Sequence, residues 1–190
     1  MKNILCIILS AIIIFSSCNH KPGTDAENNN DAQKEYYPIS NFITAQTKLL
    51  DSLPLAVIKY TTTGTNTDTA VVDKRDFAAI AAYFATPDIT APGIKDQFDE
   101  SSFIDASIGT ISLTYTAKND TISLQKADVL LKQENSRVST VYIEKKDAAT
   151  NGTMIKKMLW TANKNMQVTT IEQLKGAPEK ITIEKYVWDE

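Results

Sequence analysis

The chain has 190 residues, of which 43% are hydrophobic, and this is ordinary for a single globular domain. Its formal net charge of -3 is too small to indicate a strongly charged partner. The basic residues are scattered and no stacking motif accompanies them, so we do not expect nucleic-acid binding.

The N terminus has the pattern of an export signal. Lys2 is followed by an apolar run at residues 4–15, and two small residues then lead to Cys18. As a helix, such a run spans roughly 18 Å, against a hydrocarbon core of ~30 Å. The pattern therefore predicts a secretory signal peptide at residues 1–17 rather than a transmembrane helix.

The end of this segment indicates how the chain is attached to a membrane. Phe15-Ser16-Ser17-Cys18 resembles the lipobox of bacterial lipoproteins, with Phe15 where leucine is usual. The resemblance implies a lipoprotein of the Gram-negative type that is diacylated on Cys18. The lipid would tether the chain to a membrane, and the folded domain would face the periplasm. In lipoproteins of enteric bacteria, aspartate after the cysteine favours retention in the inner membrane. Asn19 stands at this position, so the resemblance implies the outer rather than the inner membrane.

Processing at Cys18 would remove most catalytic chemistry from the folded part. Cys6 leaves with the signal, and the single histidine, His20, lies in a polar stretch that predicts a flexible linker at residues 18–35. Residues 36–190 then form one domain without thiol or imidazole, and the glycines match no phosphate-binding loop. We therefore expect a protein that is not an enzyme and that has no cofactor or metal.

The first half of the domain alternates helices and strands. A helix is expected to begin near Ser40, its N-cap, and to end before Pro54. Strands follow at residues 55–62 and 69–72, and Asp73 is expected to cap a second helix. The buried face of that helix is predicted from the spacing of Phe77, Ile80, Ala81 and Phe84. Residues 86–105 fit no element and are predicted to form a loop or one helical turn.

After Ser107 the pattern changes to alternation, and turn signals recur about every 12 to 18 residues. About six strands are expected there, with a bulge near Lys126-Ala127. The predicted fold class is α+β: N-terminal helices packed on one face of a curved antiparallel β-meander of about six to eight strands. A closed barrel is the alternative.

Three groups of residues are candidates for a functional site. The aromatic residues late in the meander could line a hydrophobic pocket or fill the core; they are Tyr142, Trp160, Tyr186 and Trp188. Lys145-Lys146 and Lys156-Lys157 face each other across one hairpin and could meet anionic headgroups, although alternation gives one lysine per face and favours a solvated sheet. The acidic cluster could serve calcium, sugar or carboxylate catalysis, or be a solvated loop; it contains Asp96, Asp99, Glu100 and Asp105.

Three functions follow from these patterns. The first is a non-enzymatic lipoprotein of the cell envelope whose domain binds another envelope component, protein or lipid. The second is a carrier of lipid or another hydrophobe in a concave sheet pocket, because helices over a curved antiparallel sheet resemble the periplasmic lipoprotein-carrier architecture. The third is a hydrolase that relies on carboxylates alone.

Overall fold

A computed structural model describes residues 35–188, which contain two α-helices and nine strands. The predicted signal peptide, Cys18 and all of the predicted linker except Glu35 lie outside the described residues. The helices are α1, Ile39–Ser52, and α2, Lys74–Phe84, and one 3-10 turn covers Lys95–Gln97.

All nine strands belong to one antiparallel sheet. In chain order they are β1 Val57–Thr63, β2 Asn66–Val72, β3 Phe98–Asp105, β4 Thr110–Ala117, β5 Leu124–Lys132, β6 Val138–Ala149, β7 Gly152–Thr161, β8 Asn165–Leu174 and β9 Lys180–Val187. Their spatial order is β2-β1-β9-β8-β7-β6-β5-β4-β3. Strands β3 to β9 therefore form an uninterrupted meander, and the β1–β2 hairpin extends it beyond β9.

The sheet is open. Strand β1 pairs antiparallel with β9, so that Thr61 lies opposite Glu184, while β2 and β3 form the two edges. Within residues 35–188 these edges do not pair with each other, and the barrel alternative is wrong. The α+β class with an antiparallel sheet is confirmed, but nine strands exceed the predicted six to eight.

The additional strand is β3, which occupies part of the segment predicted as a loop at residues 86–105. Its sequence contains three carboxylates and two serines, and its outer neighbour is solvent rather than another strand. Edge strands tolerate such polar residues because they are not buried on both sides. The prediction of a loop or one helical turn at residues 86–105 is therefore wrong for Phe98–Asp105, which form an edge strand.

The two predicted helix caps have different outcomes. The Asp73 carboxylate accepts a hydrogen bond from the Arg75 N–H at 2.8 Å, which confirms it as the N-cap of α2. The Ser40 cap is wrong, because α1 already begins at Ile39 after Pro38. The Ser40 hydroxyl instead donates to the Ala85 carbonyl at 2.6 Å and joins the start of α1 to the end of α2.

Each strand presents one face to the helices, which we call the inner face. Tyr115, Ala127, Ile143 and Met158 lie opposite one another on four successive strands, and all four are buried. Intervening residues such as Tyr142 and Leu159 form the outer face. The predicted bulge is confirmed, since the pairing of β5 with β6 shifts register between Leu124 and Lys126.

The helices bury apolar stripes on this inner face. Ile43 and Leu50 of α1 and Phe77, Ala81 and Phe84 of α2 are all buried. Each large side chain removed from water in this way contributes about 1.5–3 kcal/mol. Helical spacing in the sequence predicts an apolar stripe on α1 made of Phe42, Ile43, Leu49, Leu50 and Leu53. This prediction is partly wrong, because Leu49 and Leu53 are exposed.

Candidate functional site

A buried lysine marks the end of the helical cover. Lys145 of β6 is only 4% exposed and lies on the inner face, where alternation with Val141 and Ile143 puts it. Its ammonium group donates to the Tyr83 and Thr86 carbonyls, each at 2.8 Å. These carbonyls lie at or just after the C-terminal end of α2, where a positive charge is favourable. The predicted solvated face is therefore wrong for Lys145.

The Tyr83 side chain lies beside two ammonium groups. Its ring centroid is 3.7 Å from Lys145 Nζ and 4.5 Å from Nζ of Lys156, the residue directly opposite Lys145 on β7. The Tyr83 hydroxyl donates to the Asp147 carboxylate. One tyrosine thus contacts two cations through its ring and one anion through its hydroxyl, which fixes the end of α2 on the sheet.

Burial changes the proton affinities in this cluster. It is the main cause of the lowered pKa of Lys145; the charge of Lys156 lowers that pKa further, and Asp147 opposes the shift. Burial also raises the pKa of Tyr83, and the hydrogen bond to Asp147 adds to this effect. Lys145 is therefore bound to the carbonyl groups at the end of α2, and its role in the described structure is to position this helix on the sheet.

Beyond this cluster the inner face is polar. Six residues of β7, β8 and β9, which we call the polar corner, are half-buried or exposed: Lys156, Thr170, Glu172, Lys180, Thr182 and Glu184. Glu172 pairs with Lys180 at 3.8 Å, and Glu184 pairs with Lys59 at 3.3 Å. No carboxylate of residues 35–188 comes within 4.0 Å of Lys156 Nζ, so this cation contacts the Tyr83 ring without forming an ion pair in the described part of the chain.

A groove borders the polar corner where β6 and β8 end and β7 begins. It has a volume of about 290 Å³, and its wall combines short polar and apolar side chains: Ala149, Thr150, Asn151, Thr153, Met154, Glu172 and Leu174. Met154 and Glu172 lie opposite each other in the register, next to the row that contains Lys156. The groove and the Lys156 ammonium group therefore adjoin on one surface.

The predicted aromatic site is divided between the two faces of the sheet. Trp160, Tyr186 and Trp188 surround Phe77 of α2, with ring centroids 5.3–5.7 Å from the Phe77 ring. Tyr142 lies on the outer face, where its hydroxyl donates to Glu144 at 2.7 Å. Three of the four residues thus fill the space beneath α2, and the fourth is separated from them by the sheet.

One polar atom inside this aromatic group has no hydrogen-bond partner. Trp160 Nε1 is the single such buried side-chain nitrogen or oxygen in the described part of the chain. Leaving a buried donor unpaired costs about 1–3 kcal/mol. The Trp188 ring centroid lies 5.5 Å from that of Trp160, and an aromatic ring can accept a hydrogen bond only weakly.

The four residues of the acidic cluster do not lie together in one site. Asp96 belongs to the 3-10 turn, and Asp99, Glu100 and Asp105 are spread along β3. Adjacent strand residues point to opposite faces, which separates Asp99 from Glu100. Among residues 35–188, no group of three or more His, Cys, Asp and Glu side chains has an arrangement suited to a metal ion.

The sequence contained a signal for part of this site. Lys145 and Lys156 have the parity of the buried residues Ile143 and Met158, and this parity predicts the inner face for both. Tyr83 gives no comparable signal, because its contacts depend on where the end of α2 meets β6.

The fold and this surface define an α+β domain with an open antiparallel sheet, one face of which is partly covered by two helices. Comparison with known proteins adds no family: no family model, no curated protein and no solved structure matches the chain. Within residues 35–188, neither helix has the length and apolar character needed to cross a membrane.

Proposed function

We propose that the chain is a lipid-anchored lipoprotein of the bacterial envelope, facing the periplasm and held in the outer membrane through Cys18. Support for the anchor comes from the sequence Phe15-Ser16-Ser17-Cys18 after an apolar run of signal-peptide length. Several acyl chains would make attachment stable, because each buried methylene contributes about 0.8 kcal/mol.

We further propose that the domain is a non-enzymatic module that binds another envelope component. The observation that carries this proposal is the polar corner, where the Lys156 ammonium group, beside the Tyr83 ring but without a carboxylate partner among residues 35–188, adjoins a groove with the apolar residues Met154 and Leu174. Such a surface suits a partner that offers an anionic group next to a small apolar group. It provides contact area without a deep cavity.

The carrier hypothesis has less support. Ligand pockets usually have volumes of about 300–1,000 Å³ and enclose most of their ligand. The groove has about 290 Å³, and the space beneath α2 is filled by Phe77 with Trp160, Tyr186 and Trp188. A lipid chain would have to displace these rings, so we favour a binding surface.

The anchor is tested by labelling growing cells with a palmitate analogue. The wild-type chain should incorporate the label, and Cys18→Ala should not. Cys6→Ala is the matched control and should be labelled like the wild type, because Cys6 lies in the predicted signal. Label that persists in Cys18→Ala would overturn the proposed anchor.

The binding role is tested by placing a photo-crosslinking amino acid at position 156 in living cells. Position 159 is the matched control, because Leu159 lies on the same strand, is exposed and faces outward. We expect a discrete adduct with an envelope component from position 156 and not from position 159. The absence of an adduct at 156, or the same adduct from both positions, would contradict the proposal.

A further inference from the structure

The open edge of β3 has free backbone groups. The Lys118 N–H donates to the Gln97 carbonyl at 2.9 Å, which identifies residues 97 and 118 as a hydrogen-bonded antiparallel pair. Hydrogen-bonded and non-hydrogen-bonded pairs alternate, so Glu100, Ser102 and Ile104 turn their N–H and carbonyl groups away from β4. The Phe98 carbonyl, which has the same orientation, already accepts from the Tyr36 hydroxyl at 3.0 Å.

Apolar side chains are exposed beside these free groups. Phe103 on the outer face is 65% exposed, Ile104 on the inner face is 57% exposed, and Ile108 in the turn to β4 is 71% exposed. Large apolar residues grouped in this way on a surface indicate an interaction site. Because they lie on both faces of one edge, they suit a partner that runs along the edge rather than one that covers a single face.

The charges on the sheet select the partner. Strand β3 carries Asp99, Glu100 and Asp105 without Lys or Arg, and the cation found within 4.0 Å of these carboxylates is Lys118, at 3.9 Å from Asp99. Strand β2, the other edge, also lacks Lys and Arg and contains Asp68. A second copy of the chain could therefore offer only another acidic or neutral strand, and like charges opposite each other destabilise pairing.

We infer that the β3 edge accepts an extended segment of another protein as an added strand, and that this segment alternates apolar residues with Lys or Arg. The inference rests on the proposed role as a binding module and names its partner surface. Main-chain hydrogen bonds to Glu100, Ser102 and Ile104 would hold the added strand. In such a strand the basic and apolar side chains lie on opposite faces. Basic residues on the outer face would meet Asp99 and Asp105, and apolar residues on the inner face would cover Ile104.

A defined peptide probe tests this inference on the mature chain carrying Cys18→Ala. The probe is a fluorescent eight-residue peptide of alternating Val and Lys, and its counterpart has Glu in place of Lys. We expect the Val-Lys peptide to bind, with affinity that falls as salt screens its charges, and the Val-Glu peptide not to bind. Equal binding of both peptides, or binding of neither, would overturn the inference.

Two variants locate the binding. Ser102→Pro removes an outward N–H from an edge strand, a position where proline is tolerated, and should weaken binding about tenfold. Thr69→Pro on the β2 edge is the matched control, because the Thr69 N–H bonds only to the neighbouring Asp68 carboxylate at 2.9 Å. The affinity of Thr69→Pro for the Val-Lys peptide should stay within about twofold of the wild-type value. Equal losses in both variants, or no loss in Ser102→Pro, would contradict an added strand at β3.

Ile104→Lys keeps the test decisive if Ser102→Pro fails to fold. This change leaves the backbone of β3 unaltered and adds a cation on an exposed side chain, so it should weaken binding of the Val-Lys peptide severalfold. Unchanged affinity would overturn the inference. If the peptide fails to bind while position 156 still gives its envelope adduct, the β3 inference is wrong and the proposed function stands.

Discussion

Strands β7, β8 and β9 each contribute residues to both the helix-covered part of the inner face and the polar corner. On β7 the inner residues change from Met158 to Lys156, and on β8 they change from Val168 to Thr170. On β9 the change from Tyr186 to Glu184 occurs at nearly the same level of the sheet. The apolar part is covered by α2, and the polar part is half-buried or exposed.

One face of a single strand can therefore form both a packed core and a polar surface. Alternation predicts which residues share a face, but the chemistry of those residues along the strand predicts how far the helices reach. Lys145 lies at this border, since it is buried like the apolar residues and charged like the corner. Substitutions on the two sides should therefore have very different effects on stability.

The largest effect is expected in the covered part. Phe77→Ala removes the ring that contacts Trp160, Tyr186 and Trp188, and should lower the free energy of unfolding by about 3–5 kcal/mol. Urea unfolding followed by tryptophan fluorescence measures this loss. Leu159→Ala on the exposed outer face is the control and should cost much less. A loss of less than about 1 kcal/mol for Phe77→Ala would mean that the aromatic core is not continuous.

A smaller effect should distinguish the two lysines that face each other. Lys145→Met leaves the Tyr83 and Thr86 carbonyls without their donor and should lower the free energy of unfolding by about 1–3 kcal/mol. Lys156→Met, the matched control across the β6–β7 pair, should change it by about 0.5 kcal/mol or less. Equal effects in urea unfolding would show that the border does not lie between these residues.

Much of the fold could be predicted from the sequence where pattern and environment agree. Asp73 caps α2 as its side chain and spacing require, and the strands after Ser107 follow from alternation and turn residues. The prediction was less complete at β3, because an exposed edge imposes no apolar pattern on its strand. Ser40 was assigned as a cap because the sequence does not reveal that Ala85 lies within reach of its hydroxyl.

The candidate site was harder to predict, because it depends on contacts between distant segments. Tyr83 and Asp147 are 64 positions apart in the chain, and no local pattern connects them. The tryptophans are bulky aromatic residues, and size alone does not distinguish a pocket wall from a core. What distinguishes them is Phe77, which fills the space that a ligand would need.

The smallest effect concerns the tyrosine at the border and its dependence on pH. The pKa of Tyr83 is raised above its usual 10.0 in the folded state, so the unfolded chain loses this proton first as the pH rises. The contribution of Tyr83 is therefore fully present below about pH 10 and declines above it. Tyr83→Phe should cost about 1 kcal/mol near neutrality and should make the alkaline loss of stability less steep.

Measuring the free energy of unfolding between about pH 8 and pH 11 gives the slope of stability against pH for the wild type and for Tyr83→Phe. Five other tyrosines also have raised pKa values, so part of the alkaline loss of stability remains in every variant; they are Tyr36, Tyr37, Tyr115, Tyr142 and Tyr186. Asp147→Asn should give an intermediate slope, because burial is the main cause of the Tyr83 shift and remains when the carboxylate is removed. Tyr83→Phe and the wild type could instead lose stability with the same slope as the pH rises. The Tyr83 hydroxyl would then not be held against Asp147, and the border between the covered part and the polar corner would not depend on this contact.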